Sequence, residues 1–324
     1  MGSYENRIRE HILMQYEEVW NKANYDYADE TVSADFNDHP PTRFFDVGRT
    51  GPDALKQAAK EFHEGIPGFY DSPELVLVEG DRAAYLGQIA GKQEGILFGF
   101  PPNGEHRMRV WGVNFFRMEG EKIAERWGQF DVLGMMQQLS LAPGPPAPEV
   151  PEEKPAYGDP NRAGTDPPTD IEANKNVYRR VVEEVVNQGK FDVIPELFHP
   201  DYIDHAAPPG APPGLAGVQA VFSMFRTGFP DVKFTIDQMV GEGNYVATLV
   251  HGEGTQTGQF IQFPPSGKHA VWRSVGFFRV EDGLIREHWG IPDLLGLLIQ
   301  IGIIPPPAAE SAMGSVKDQI GATK

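Results

Sequence analysis

Two short segments place an aspartate beside a histidine: Asp38-His39 in FNDHPP and Asp204-His205 in YIDHAAPP. Imidazoles exchange protons near neutral pH, so a histidine at a pocket mouth can act as acid, base or donor. Neighbours on an extended segment point to opposite faces, so neither pair can work side by side as a dyad. One member of each can face a pocket, or both can satisfy loop backbone groups. A second kind of carboxylate, Asp131 and Asp293, stands between an aromatic strand end and an apolar helix (VLGMMQQL and LLGLLIQIG). Poor solvation there would raise a carboxyl toward the range useful for proton transfer. The same place is a helix N-cap, where a carboxylate accepts orphan backbone N–H groups, and the two roles can coexist.

Other side chains could bind a substrate. Trp127, Trp289, Trp272 and Trp111 can stack on a flat ring system or fill a core. Arg273 and Ser274 are adjacent on VWRSVGFFRV, so one of them faces inward; an inward arginine could hold an enolate or carboxylate. In the matching stretch RMRVWGVNFF, Asn114 could donate to a carbonyl. His288 has Arg126 as its counterpart, each directly before a tryptophan, facing either a ligand or solvent. Glu287 and Glu125 share the face of Trp289 and Trp127; if that face is a cavity they are second carboxylates. His106 and His269 follow Pro-Pro-x-Gly turns, where exposed polar residues are usual.

These candidates come in pairs because the chain carries one domain twice. FGFPPNGEH recurs as FIQFPPSGKH, and FFRMEGEKIAERWGQFDVLGMM answers FFRVEDGLIREHWGIPDLLGLL. Apolar residues at helical spacing (Ile8, Ile12, Tyr16, Val19; Val177, Val181, Val185) open each copy. Further helices are expected near Pro52–Glu64 and Gly217–Thr227. Four strands follow in each copy: about 74–78, 83–91, 107–118 and 122–127, then 233–240, 245–252, 270–280 and 284–289. Helices followed by an antiparallel meander make an α+β domain, with a conical space where the curved sheet opens. The expected organisation is a first domain over 1–141, a proline-rich extended linker over 142–170, a second domain over 171–304 and a frayed tail over 305–324.

The 324 residues suit two domains of ordinary size, and 40% hydrophobic residues with 11% aromatic suit packed cores. A net charge of −18 would repel phosphate backbones and anionic headgroups, so neither nucleic acid nor membrane is an expected partner. Without cysteine there is no thiolate nucleophile and no cysteine-ligated metal, a residue choice that fits a reducing cytoplasm. The charged N-terminus lacks the apolar stretch of a signal peptide. No His-Glu-x-x-His, phosphate loop, dinucleotide fingerprint or nucleophile elbow occurs, and the nine histidines are scattered, so no metal and no cofactor is expected.

From LFHPDYIDHAAPPG through GFPDVKF to EHWGIPDLLGLLIQIG, the second copy resembles the SnoaL-like polyketide cyclases of the nuclear-transport-factor-2-like superfamily. The first copy is similar in its FPPNG turn and its ERWGQFDVLGMMQQL ending. The resemblance implies a cone-shaped domain, a curved antiparallel sheet over helices around a pocket, and cofactor-free acid/base chemistry on a small hydrophobic polyketide- or terpenoid-like molecule. It implies that an aspartate just beyond the last strand takes a proton from an activated carbon, which here matches Asp293 and Asp131. Many relatives carry an acidic residue directly after the tryptophan, where this chain has Gly290 and Gly128. The superfamily hosts other activities, so epoxide hydrolysis, dehydration and binding without turnover remain alternatives. Relatives that pair through the outer face of the sheet imply an intramolecular pseudo-dimer of the two copies.

Overall fold

The computed structural model describes residues 3–39, 50–142, 150–165, 169–207 and 210–305. The first copy runs α1 (Tyr4–Gln15), α2 (Ala28–Thr31), β1 (Val32–His39), α3 (Pro52–Gly65), β2 (Tyr70–Glu79), β3 (Arg82–Lys92), β4 (Arg107–Glu119), β5 (Lys122–Phe130) and α4 (Val132–Gln138). A short helix α5 (Arg162–Thr165) lies in the connecting segment. The second copy repeats the order as α6 (Ile171–Arg180), α7 (Ile194–Leu197), β6 (Phe198–Asp204), α8 (Gly214–Gly228), β7 (Lys233–Glu242), β8 (Tyr245–Thr255), β9 (His269–Glu281), β10 (Leu284–Pro292) and α9 (Leu294–Gln300).

Side-chain oxygens at Ser3 and Asp170 cap α1 and α6, accepting from the third N–H beyond. Both helices then widen into a π-helical stretch, Tyr16–Asn21 and Val181–Asn187. Each stretch ends on an asparagine whose amide bonds both backbone groups of one sheet residue, Asn21 with Asp71 and Asn187 with Phe234. The helix end is thereby fixed over the concave face.

Each sheet has five strands, in the orders β1-β5-β4-β3-β2 and β6-β10-β9-β8-β7. The four expected strands of each copy form antiparallel ladders, but β1 and β6 join β5 and β10 in parallel, so the sheets are mixed. These parallel edges carry a register shift and mix buried with exposed residues without alternation, which is why they do not read as apolar runs.

Both faces of each sheet are covered. The concave faces hold helices α3 and α8, and the convex faces pack on each other through Leu75, Leu77, Leu86 and Phe115 against Val240, Leu249, Phe277 and Ile291. Two equivalent ion pairs cross between the copies, Arg9 with Glu242 and Lys175 with Glu79. The second oxygen of each glutamate accepts a backbone N–H of the opposite copy: Glu242 from Val78 and Glu79 from Gly241, each at 2.8 Å. These backbone donors help offset the desolvation of the carboxylates. The contact uses the same patch on both copies, as a two-fold interface does.

The described part of the connecting segment lies against the first copy, and Ala163 is buried in the core between the sheets. The expected tail falls, beyond Pro305, outside the described residues. Among the described residues, no helix is long and apolar enough to cross a membrane.

Candidate functional site

Between the concave face of the second sheet and its helices lies a cavity of about 130 Å³. Alternation along the strands selects what it sees: Trp272, Ser274 and Phe278 from β9, and His288, Gly290 and Pro292 from β10. From β6 come Phe198, Tyr202 and Asp204; α8 adds Val218, Val221, Phe222 and Phe225, and the opening helix adds Tyr178, Val181 and Val186. Most of the wall is aromatic or aliphatic, with a few polar groups gathered at one end, the composition of a site that holds a small apolar molecule in a set orientation.

At that end Asp204 and His288 are register partners on parallel neighbouring strands, so both side chains project into the cavity. Nδ1 of His288 stands 3.5 Å from Oδ1 of Asp204, and the imidazole stacks on Phe278 with centroids 4.6 Å apart. A Cβ at residue 290 would lie 2.5 Å from Nε2 of His288. Glycine at 290 therefore makes room for the ring, which occupies the space an acidic side chain at that position would need. Burial alone would raise the Asp204 carboxyl. The His288 charge and hydrogen bond, the Ala206 N–H (3.0 Å) and His205 outweigh it and hold the group below its ordinary value. Burial pushes the Tyr178 hydroxyl up to about 12, and burial with the Asp204 charge raises Tyr202 as well, so both remain neutral donors near neutral pH.

In the first copy the same two positions carry Asp38 and Arg126, joined in a bidentate pair at 2.9 and 2.5 Å. Trp20 lies 5.3 Å from that guanidinium, at the position of the cavity-lining Val186. Tyr16 stacks on Tyr85 at 3.8 Å, and the Tyr85 hydroxyl donates to Asp71 at 2.6 Å. Burial pushes the Asp71 carboxyl up to about 7, against the Tyr85 bond and the Arg126 charge. Trp20 thus stands where the second copy has a cavity-lining valine. A guanidinium also cannot give up its proton as an imidazole can.

Asp293 and Asp131 cap α9 and α4: each accepts the backbone N–H of the glycine three residues on, Gly296 or Gly134, at 2.8 Å. A Cβ on either glycine would run into the capping carboxylate, which accounts for the repeated Asp-x-x-Gly. Asp293 is 8% exposed but does not line the cavity, whereas its neighbour Pro292 does.

The remaining candidates divide by face. Trp272 and His288 line the cavity, and Asn114 is on the concave side of the first copy beside Gly128. Trp289 and Trp127 belong to the core between the sheets. His205 stacks on Trp289 at 4.3 Å and meets Glu287 at 2.8 Å; His39 stacks on Trp127 at 4.9 Å and stands 3.5 Å from Glu125. Arg279 and Arg117 complete these matched clusters on the two glutamates. Arg273 reaches out of its copy to the carbonyl of His39 at 3.3 Å. Strand direction already separates Asp204 from its chain neighbour His205, and the register of β6 with β10 gives it His288 as its partner across the strands. The signal that could have found this is the shared parity of His288 and Gly290, opposite to that of Trp289.

Among the described residues, no group of three or more histidine and acidic side chains is placed to hold a metal ion. The sequence model of the family described as SnoaL-like polyketide cyclase matches residues 10–139 and again 176–301. Nogalonic acid methyl ester cyclase of Streptomyces nogalater is 27% identical over 124 residues, 36% of this chain and 88% of that protein. Aklanonic acid methyl ester cyclase DnrD of Streptomyces peucetius is 28% identical over 138 residues, 39% of this chain and 89% of that protein. Among solved structures, TsrD from Streptomyces laurentii is 26% identical, covering 42% of this chain and all of that one, with a TM-score of 0.40. IdmH from Streptomyces antibioticus is 31% identical, covering 40% of this chain and 98% of that one, with a TM-score of 0.37.

Proposed function

This chain belongs to the SnoaL-like polyketide cyclase family, carried in two tandem copies, and from that premise we propose that its second copy closes a ring in a polyketide-type carbonyl compound without a cofactor. The observation that carries the reading is the His288–Asp204 pair at the polar end of the aromatic cavity.

In the proposed reaction Nε2 of His288 takes a proton from a carbon acidified by a flanking carbonyl. The Asp204 carboxylate orients the ring through Nδ1 and steadies the imidazolium that forms. The enolate carbon then attacks a second carbonyl of the same molecule. One carbon–carbon bond forms, one carbon–oxygen π bond becomes an alkoxide, and the proton on His288 passes to that oxygen. Base and acid are one residue at two stages, so the enzyme ends as it began. The hydroxyls of Ser274 and Tyr202 are the donors on the same wall for the enolate oxygen. Asp293 serves this site by capping α9 behind it.

The first copy, with its guanidinium-locked pair, acts as a structural partner. The crossed ion pairs and the shared apolar core support an intramolecular pseudo-dimer with residues 1–141 and 171–304 as its domains.

The test uses the methyl esters of nogalonic and aklanonic acids, the compounds in the two relatives' names. The expected result is ring closure by the full chain and a loss of about a hundredfold or more in kcat for His288→Gln, in the range of general acid/base effects. A second reading, binding without turnover, draws on Gly290, where many relatives carry an acid. Saturable binding of both esters with no ring closure would favour it over the cyclase.

A further inference from the structure

Ring closure of the kind proposed above uses two carbonyls of one molecule, one that acidifies the carbon and one that the enolate attacks. The donors placed so far, Ser274 on β9 and Tyr202 on β6, both belong to the sheet wall of the cavity and serve the first carbonyl. The oxygen of the second takes on charge as the carbon–carbon bond forms. A donor already in place at that oxygen lowers the barrier.

Among the described residues that line the cavity, one further hydroxyl is available, and it comes from the facing wall. Tyr178 stands near the end of α6 and is 8% exposed. Its ring packs on Phe278 with centroids 4.5 Å apart, and the His288 imidazole stacks on the same phenylalanine at 4.6 Å. One ring of the sheet thus spaces the base on β10 from the phenol on the helix. Burial pushes that phenol up to about 12, with the Thr248 hydroxyl acting in the opposite sense, so it keeps its proton near neutral pH and can donate it in a hydrogen bond.

A tyrosine at this place goes with the cavity. Stepping back by the same interval from the asparagines that end the π-helical stretches, Asn187 and Asn21, gives Tyr178 in one copy and Ile12 in the other. Ile12 is fully buried in the copy whose interior pair is a guanidinium and a carboxylate. Thr248 pairs with Gly276 across the strands where the first copy pairs Tyr85 with Asn114, so the sheet on this side is cut back. A Cβ at residue 276 would crowd the Phe278 ring at 3.1 Å and Nε2 of His288 at 3.3 Å. Glycine there lets the three rings stand together.

We propose, resting on the cyclase reading, that Tyr178 is a further catalytic residue: its hydroxyl donates to the oxygen of the carbonyl that the enolate attacks. As the carbon–carbon bond forms, the π electrons of that carbonyl pass to its oxygen, and Tyr178 holds the alkoxide. The proton that completes the new hydroxyl comes from His288, and Tyr178 keeps its own throughout. Donors on two facing walls also bend the substrate so that its reacting carbons meet.

The test follows two events in the full chain with the methyl ester of nogalonic acid in deuterated water: ring closure, and deuterium entering the acidic carbon of unreacted ester above the enzyme-free rate. Tyr178→Phe keeps the ring that packs on Phe278 and is expected to lower kcat for closure by about a hundredfold, with KM within a few-fold, as loss of one oxyanion donor does. Deuterium entry is expected to persist in this variant, because His288 still forms the enolate and the enolate, unable to close, returns. His288→Gln is expected to lose both events. Unchanged closure in Tyr178→Phe would overturn the proposal and leave the cyclase reading standing. Closure and deuterium entry falling together would also overturn it, since the phenol would then serve the first step or the shape of the cavity. A parent chain that neither closes the ring nor exchanges deuterium would remove the cyclase reading and this proposal with it.

Discussion

His288 and Asp204 face each other at 3.5 Å across parallel strands, while the same two positions in the first copy hold Arg126 and Asp38 in a bidentate pair. One geometry thus serves two chemistries, a pair that can pass a proton and a pair that cannot.

Asp204→Asn is expected to lower kcat by about a hundredfold with little change in KM, because an amide can orient the imidazole but cannot balance its charge. The same variant tests a stability claim. The Asp204 carboxyl is held below its ordinary value, so its contribution to folding is present above that value and lost as pH falls through the lowered one. The acid limb of the chain's melting temperature plotted against pH is expected to be flatter in Asp204→Asn.

Asp293→Asn is expected to keep turnover within a few-fold, since asparagine caps a helix as well as aspartate does. Asp293→Ala is expected to cost about 1 kcal/mol of stability through the lost bond to Gly296, read from denaturant midpoints. A hundredfold fall in kcat for the asparagine variant would instead give Asp293 the proton-transfer role.

Asp71 is expected to act on stability with the opposite sign. Its folded value, about 7, lies above the ordinary aspartate value of 3.8, so the folded state keeps a proton that the unfolded chain gives up. That stability is fully present below the ordinary value, declines as pH rises and levels off once the folded value is passed. Melting temperatures of Asp71→Asn between pH 4 and pH 8 are expected to lack this decline.

The repeat and the antiparallel strands were legible because glycines, prolines and aromatics recur in order. The edge strands β1 and β6 were not, because half-exposed, bulged, parallel strands show no simple alternation. Facing was harder still. Trp289 and His288 are adjacent, and which one meets the cavity depends on strand parity. Parity normally shows as apolar against polar, but both sheet faces are buried here, the convex one under the other copy, and that contrast is erased. Asp204 was hidden for a related reason: its partner is 84 residues away, and only the parallel register of β6 with β10 brings them together.

Glu79→Gln combined with Glu242→Gln is expected to weaken the contact between the copies. It leaves Lys175 and Arg9 without their crossed carboxylates. Calorimetry is expected to show one transition in the parent chain and two in the double variant. Two transitions already present in the parent would count against a pseudo-dimer.

The face shared by the copies carries a freedom that a dimer of identical chains does not have. In such a dimer one gene writes both halves, so a tryptophan or arginine that fills one cavity fills the other and activity is extinguished. Linked in one chain, the halves can diverge. Trp20 and Arg126 can stiffen one interior while Val186 and His288 line the cavity of the other, so a change that would close one interior need not close both.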